Sequence, residues 1–248
     1  MNDIQLLEQL LIKKGRIITH SNLKSLFSNY KNLNNKISLL IKKGWLVNLR
    51  KGQYYITKLG SLGYISTSHL IISNSIGIKS FVSFEAALKH HGLFDQGLKK
   101  IRAISYQQYR QKKLENTTYQ YITVKTDNYF GFKKESVDGG IAIVANKERA
   151  LLDLIEYQRS IYSVSLVLEK LENFSQEIDL KILVKYLKEY SQVTIKTIGL
   201  FLDFMNIDSS QVFNLINDST SSSRLLSSSA TFSSKWRLYY DHILKEWV

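Results

Sequence analysis

Residues 45–56 constrain the fold most. Trp45-Leu46-Val47-Asn48-Leu49-Arg50 reads as a strand, Lys51-Gly52 as a turn and Gln53-Tyr54-Tyr55-Ile56 as the return strand. A glycine between two β-prone runs is a hairpin signal, because it reaches the positive φ that tight turns need. Tyr54 and Tyr55 are expected to divide between core packing and an outward side.

Helical patterns precede the hairpin. Ile4, Leu6, Leu7, Leu10 and Leu11 recur at helical spacing, so residues 3–14 form an amphipathic helix ended by Gly15. Arg16-Ile17-Ile18 is a short extended piece. Thr19 or Ser21 caps a second helix, Asn22–Phe27, and Ser28-Asn29-Tyr30 is a turn. A third helix runs from about Lys31 to Lys43, with Leu33, Ile37, Leu40 and Ile41 as its buried stripe and Gly44 at its end. Three helices followed by a hairpin predict a winged helix-turn-helix. In that fold the third helix enters the major groove, where base edges carry a distinct donor and acceptor pattern. The expected DNA face is therefore Lys31, Asn34, Asn35, Ser38 and Lys42, joined by Arg50, Lys51 and Gln53 at the hairpin tip.

Charge points the same way. The chain carries a formal +13. Residues 1–60 hold 11 basic and 2 acidic side chains (+9), residues 61–140 hold 11 and 6 (+5), and residues 141–248 hold 12 and 13 (−1). A basic first unit on a near-neutral body suits a polyanion. A winged helix that contacts only protein is the alternative. With no cysteine, disulfides, Cys-based zinc sites and thiol nucleophiles are excluded. The absence of proline fits a coding bias. No apolar run reaches membrane-spanning length and the start MNDIQLLEQLL lacks a basic region, so a cytoplasmic protein without membrane contact is expected.

The remainder reads as mixed α+β with a helical C-terminal part, so the whole is α+β. The domains are 1–75 and 76–248, with a helix or linker within Ser66–Ser75. In Phe81–Leu93, Ser83 caps a helix, Glu85 sits in its first turn and Gly92 closes it. Ile101–Ser105, Tyr119–Val124, Tyr129–Phe132 and Ile141–Ala145 are expected strands, with Gly139-Gly140 a hairpin turn. Asn146 caps a helix from Lys147 to Ile155, and helices follow at 163–173, 179–190, 193–205 and 209–217. Thr220–Ser234 reads as a serine-rich loop, and Ser233–Leu238 begins a piece of undetermined type.

Glu85, His90, His91, Lys147, Glu148 and Asp153 could suggest a metal-dependent nuclease or phosphotransferase built on residues 81–155. The competing reading is structural: Glu85 and Glu148 lie in first helical turns, and Asp153 can pair with Arg149 four residues earlier. Adjacent histidines on a helix diverge by about 100°, which does not suit a metal pair. The expectation is no enzyme, no cofactor and no metal.

Phe81-Val-Ser-Phe-Glu-Ala-Ala-Leu-Lys-His-His-Gly-Leu93 resembles the S-x-E-A-A-L-x-x-x-G-L element of the AbiEi family of antitoxins. Val144-Ala-Asn-Lys-Glu-Arg-Ala-Leu-Leu-Asp-Leu154 resembles that family's second element, valine-alanine, two residues, then E-[KR]-A-L-x-D-L. Lys235-Trp236-Arg237-Leu238 resembles a C-terminal feature of the family. Asn146-Lys147 departs from its frequent threonine-proline. The resemblance implies the antitoxin of a type IV, abortive-infection toxin–antitoxin pair. It would counteract a nucleotidyltransferase-like toxin and repress its own operon at repeated promoter sites. It places Ser83, Glu85, His91, Lys147, Glu148, Arg149 and Asp153 in the antitoxin motifs.

Overall fold

The computed structural model describes residues 2–57, 65–216 and 221–246. The expected positions 58–64, 217 and 220 lie outside the described residues. The first unit runs α1 (Asp3–Lys14), β1 (Ile17–Thr19), α2 (His20–Leu26), α3 (Leu33–Lys42), β2 (Leu46–Arg50) and β3 (Gln53–Ile56). Thr19 caps α2 by accepting from the Asn22 backbone, and Asn32 caps α3 by accepting from Asn35, two residues later than the expected start. The extended piece at 17–19 becomes a third strand, giving an antiparallel sheet of order β1-β3-β2. Leu7, Leu10, Ile18, Leu23, Phe27, Ile37, Leu40, Leu46, Tyr54 and Ile56 form one core. Ile41, expected to be buried, is instead exposed at 37%, because the helix turns Ile37 and Leu40 inward and carries Ile41 past the contact.

The hairpin has two working faces. Strand alternation puts Leu49, three residues after Leu46, on the opposite side from it, and the register then shifts between Asn48 and Arg50, a bulge. Leu49 and Tyr55 belong to the core of the second unit, whereas Leu46, Tyr54 and Ile56 belong to the first. Both tyrosines are thus buried, so the expected outward tyrosine is corrected. The Tyr55 hydroxyl bonds the hydroxyls of Ser66 and Thr67 and accepts from the Ser66 backbone at 3.1 Å. Lys112 Nζ donates to Asn48 Oδ1 at 3.1 Å across the same seam.

The second unit begins with α4 (His69–Ile76), β4 (Ser80–Val82), α5 (Phe84–His90), β5 (Lys100–Ser105), β6 (Lys112–Leu114) and β7 (Thr117–Thr123). It continues with β8 (Phe132–Val137), β9 (Gly140–Ala145) and α6 (Lys147–Tyr157). Its six-stranded mixed sheet has the order β6-β7-β5-β4-β9-β8. The expected boundary at residue 75 falls inside α4, whose Leu70, Ile72 and Ile76 pack in the second core. The expected strand Tyr129–Phe132 is displaced to β8. Asp138 (φ 46) and Gly139 (φ 72) turn β8 into β9, two positive φ values that match a tight hairpin turn.

Helices α7 (Ile161–Asn173), α8 (Leu180–Leu187), α9 (Gln192–Phe204) and α10 (Ser210–Phe213) follow. The expected loop and undetermined tail instead contain β10 (Ser223–Arg224), β11 (Thr231–Ser233) and β12 (Leu238–Tyr240), a small sheet of order β10-β12-β11. Its turn delivers Trp236, fully buried, onto α9 at Gly199. Trp236 Nε1 donates to Asp203 Oδ2 at 2.7 Å, and Lys235 Nζ and Ser209 Oγ donate to Asp203 Oδ1 at 2.7 and 2.5 Å. Partial burial pushes the Asp203 carboxyl up, but these bonds outweigh it and hold its pKa below the usual 3.8. A depressed folded pKa contributes stability above the unfolded value that is lost as pH falls through the folded one. Acid titration should therefore destabilise the chain on falling below about pH 3.8. Asp203→Asn should flatten that part of the profile; an unchanged acid limb in denaturation midpoints would refute it.

Candidate functional site

Two groups of side chains were expected to carry function. On the first unit, Asn34, Asn35, Ser38 and Lys42 are exposed along α3, as is Lys31 just before it. Lys51 is exposed at the hairpin turn, which lies beside the start of α2 because His20 N donates to Gly52 O at 2.8 Å. Gly52 has φ 76, so the turn requires a residue tolerant of the left-handed region. Arg50 and Gln53 are placed differently. Arg50 Nε donates to Gln53 Oε1 at 2.7 Å and to the Ser75 carbonyl at 3.1 Å. Both are half-buried, and the Arg50 guanidinium is turned toward α4 rather than left at the open tip.

Lys36, the remaining lysine of α3 besides Lys42, is half-buried. Its Nζ lies 2.6 Å from Asp3 Oδ1 and donates to Tyr30 OH at 3.1 Å, tying α3 to α1. Two residues not anticipated adjoin the face. His20 Nε2 lies 3.5 Å from Asn34 Oδ1, and with Lys24 it lines a groove of about 590 Å³ between α2 and α3 that Lys31 and Asn34 share. Their i,i+4 spacing on α2 was the available signal.

The second group brings the two motif segments together. Ser83 occupies the position before α5, yet its hydroxyl makes no cap, contrary to expectation. Ser83 Oγ donates to Asp153 Oδ2 at 2.6 Å instead. The backbone accompanies this long-range bond: Phe84 follows with φ 58, a left-handed conformation costing about 1–3 kcal/mol in a non-glycine residue, and the chain bends sharply from β4 into α5. Phe84 is fully buried, and that burial offsets the strain. Tyr190, from beyond the motifs, donates to Asp153 Oδ1 at 2.8 Å.

Arg149 Nε lies 2.9 Å from the same Oδ1, the expected i,i+4 pair. The approach is that of an ion pair rather than an aligned hydrogen bond, since among the described residues no guanidinium nitrogen of Arg149 has a hydrogen-bond partner. The rings of Phe81, Phe130 and Tyr190 surround its guanidinium, with centroids 5.6, 4.4 and 5.1 Å from Cζ. Cation–π attraction thus replaces part of the lost solvation. Burial pushes the Asp153 carboxyl up, against the pull of Arg149, Ser83 and Tyr190.

The other motif residues diverge. His91 Nε2 donates to the Ala145 carbonyl at 2.8 Å, a second grip between the two motifs, and burial pushes its pKa down. Both Glu85 oxygens accept from Arg102 Nη1, at 3.2 and 3.0 Å. Glu148 Oε1 accepts from the Asp179 backbone at 2.9 Å, and Lys147 pairs with Glu177 at 2.8 Å. Each carboxylate therefore serves a different neighbour. Among the described residues no group of three or more His, Asp or Glu side chains could hold a metal ion, and no helix is long and apolar enough to cross a membrane.

No family model and no curated protein matches the sequence. In fold, the chain is similar to the crystal structure of the Rv2827c protein from Mycobacterium tuberculosis. The TM-score is 0.70 at 13% identity, covering 97% of this chain and 92% of that one, a likeness of architecture through both units.

Proposed function

We propose that the first unit is a winged helix-turn-helix that binds duplex promoter DNA at repeated sites, and that the protein is the autorepressing antitoxin of a nucleotidyltransferase-like toxin. The observation that carries the DNA reading is the composition of one surface. Asn34, Asn35, Ser38 and Lys42 stand exposed on α3 and Lys51 on the hairpin turn beside His20, while the two acidic residues of the first sixty both lie on α1. Asparagine can bond adenine in a bidentate manner, and lysine neutralises phosphate. The antitoxin reading rests on the family resemblance, and the contacts Ser83–Asp153 and His91–Ala145 support it by joining the two motifs in one unit. The motif carboxylates act there as structural partners, without a catalytic step.

Binding should weaken steeply with salt. Lys42→Ala with Lys51→Ala should lower affinity across all duplexes by about tenfold or more and reduce the salt slope by about 2. Asn34→Ala with Asn35→Ala should relax the preference for the operator over random duplex. Arg50 is unsuited to this test because its removal also frees the Ser75 carbonyl. Mobility-shift titrations read both effects; unchanged affinity in the lysine variant would refute the proposed face. Co-expression with a nucleotidyltransferase-like toxin, taken from the neighbouring gene if one is encoded there, tests the other half: full-length lysine variants should still restore growth, and failure of the wild-type chain to do so would refute the antitoxin reading.

A further inference from the structure

An open surface concavity of about 610 Å³ lies between the start of α7 and the turn that follows β10. Arg159 and Arg224 line it from separate segments, with Ser227, Ser228, Ile161 and Leu226. The described lining includes no carboxylate. Arg159 is exposed and makes no hydrogen bond, ion pair or ring contact among the described residues. Arg224 is held in place: its Cζ stands 4.3 Å from the Tyr239 ring centroid, and its Nη1 donates to the Ser229 carbonyl. The turn presenting the serines is pinned as well. Leu226 N donates to Ser229 Oγ at 3.0 Å, Ser229 N donates to the Leu226 carbonyl at 3.0 Å, and Ser229 Oγ donates to Asp241 Oδ2 at 2.6 Å.

Two guanidinium groups without an ion pair among the described residues, set around one concavity, favour an anion, and the planar fork of arginine matches phosphate oxygens. A stacked, hydrogen-bonded arginine loses little freedom on binding, which lowers the ordering cost. The apolar wall of Ile161 and Leu226 gives an organic body something to cover, and the volume lies within the range of small-molecule sites. Residues 141–248 carry a net charge of −1, so this is a local cationic site rather than part of a broad basic surface. We propose that the concavity binds a phosphate-bearing small molecule of nucleotide size.

The test titrates ATP and inorganic phosphate into the full chain by calorimetry, in low-chloride buffer. ATP should bind saturably. Arg159→Gln and Arg224→Gln should each weaken it about tenfold, the loss of one charge-assisted bond. Arg224→Lys should weaken it similarly, since lysine keeps the charge but not the fork. Arg159 has no partner among the described residues, so Arg159→Gln should keep the wild-type circular dichroism and melting midpoint. Arginine-dependent binding that is tighter for ATP than for inorganic phosphate supports the proposal, whereas equal affinity for the two anions identifies a bare phosphate site and overturns the nucleotide-sized ligand. No saturable binding of either anion at millimolar concentration, or affinity unchanged in all three variants, would overturn it. So would variants that lose duplex DNA while ATP binding persists, which would assign the arginines to the nucleic acid.

Discussion

Asp153→Asn should lower unfolding stability by about 3–5 kcal/mol, the cost of leaving one partner of a buried ion pair uncompensated. Asp153 is 0% exposed and Arg149 1%, so solvent cannot take over the role of the lost charge. Asparagine fills the same volume and can still accept from Tyr190, so the loss isolates charge from packing. Arg149→Met should also be costly, because it buries the Asp153 carboxylate without its cation. The double variant neutralises both and should be less destabilised than the sum of the singles by about 2 kcal/mol. Urea midpoints with an unchanged m-value would measure this cycle; additive effects would show that the pair is not coupled. If the double variant regains stability yet loses its single cooperative transition, the pair serves specificity of the second unit rather than its stability.

The sequence made this pair legible because i,i+4 spacing on a helix is a local property. It also placed α1, α2, α3, the hairpin, β5, β7 and β9, whose periodicity or turn chemistry extends over several residues. What it left unread is short or non-local. β4 and β6 are three residues each, too brief to show alternation. Tyr190 lies 37 residues from Asp153, and nothing at that separation announces their bond. Ser83 stood at a helix start and was read by local capping rules, but a long-range carboxylate won its hydroxyl. The half-buried Arg50 and Gln53 fail the open-tip expectation for the same reason. Hairpin grammar specifies the turn but not that α4 covers one face of it. The serine-rich stretch concealed β10 and β11, since composition marks a loop without marking the bonds its backbone makes with β12.

Gly199→Ala should be strongly destabilising although the residue lies within α9, where glycine-to-alanine ordinarily gains about 0.5–1 kcal/mol. A Cβ at 199 would overlap Cη2, Cζ3 and Cζ2 of the Trp236 indole, which lies flat against the helix backbone. The ring is fully buried and its Nε1 is tied to Asp203, so it cannot slide aside and keep that bond. The upper bound is the cost of expelling the ring, about 3–5 kcal/mol as for tryptophan-to-alanine changes in cores. Even the usual overpacking cost of about 1–3 kcal/mol exceeds the helix-propensity gain, so the sign is settled. Trp236→Leu removes the overlapping atoms, and Gly199→Ala introduced into that background should cost little or turn favourable. Background dependence separates steric exclusion from a backbone effect at 199: an equal loss in both backgrounds would place the cause in the helix. Because the C-terminal sheet reaches the helical layer through this ring and through Lys196, whose Nζ donates to the Ser221 carbonyl at 2.7 Å, expulsion of Trp236 should loosen the strands that carry Arg224. The Gly199→Ala variant should then lose anion binding together with stability, whereas Arg159→Gln loses the first alone.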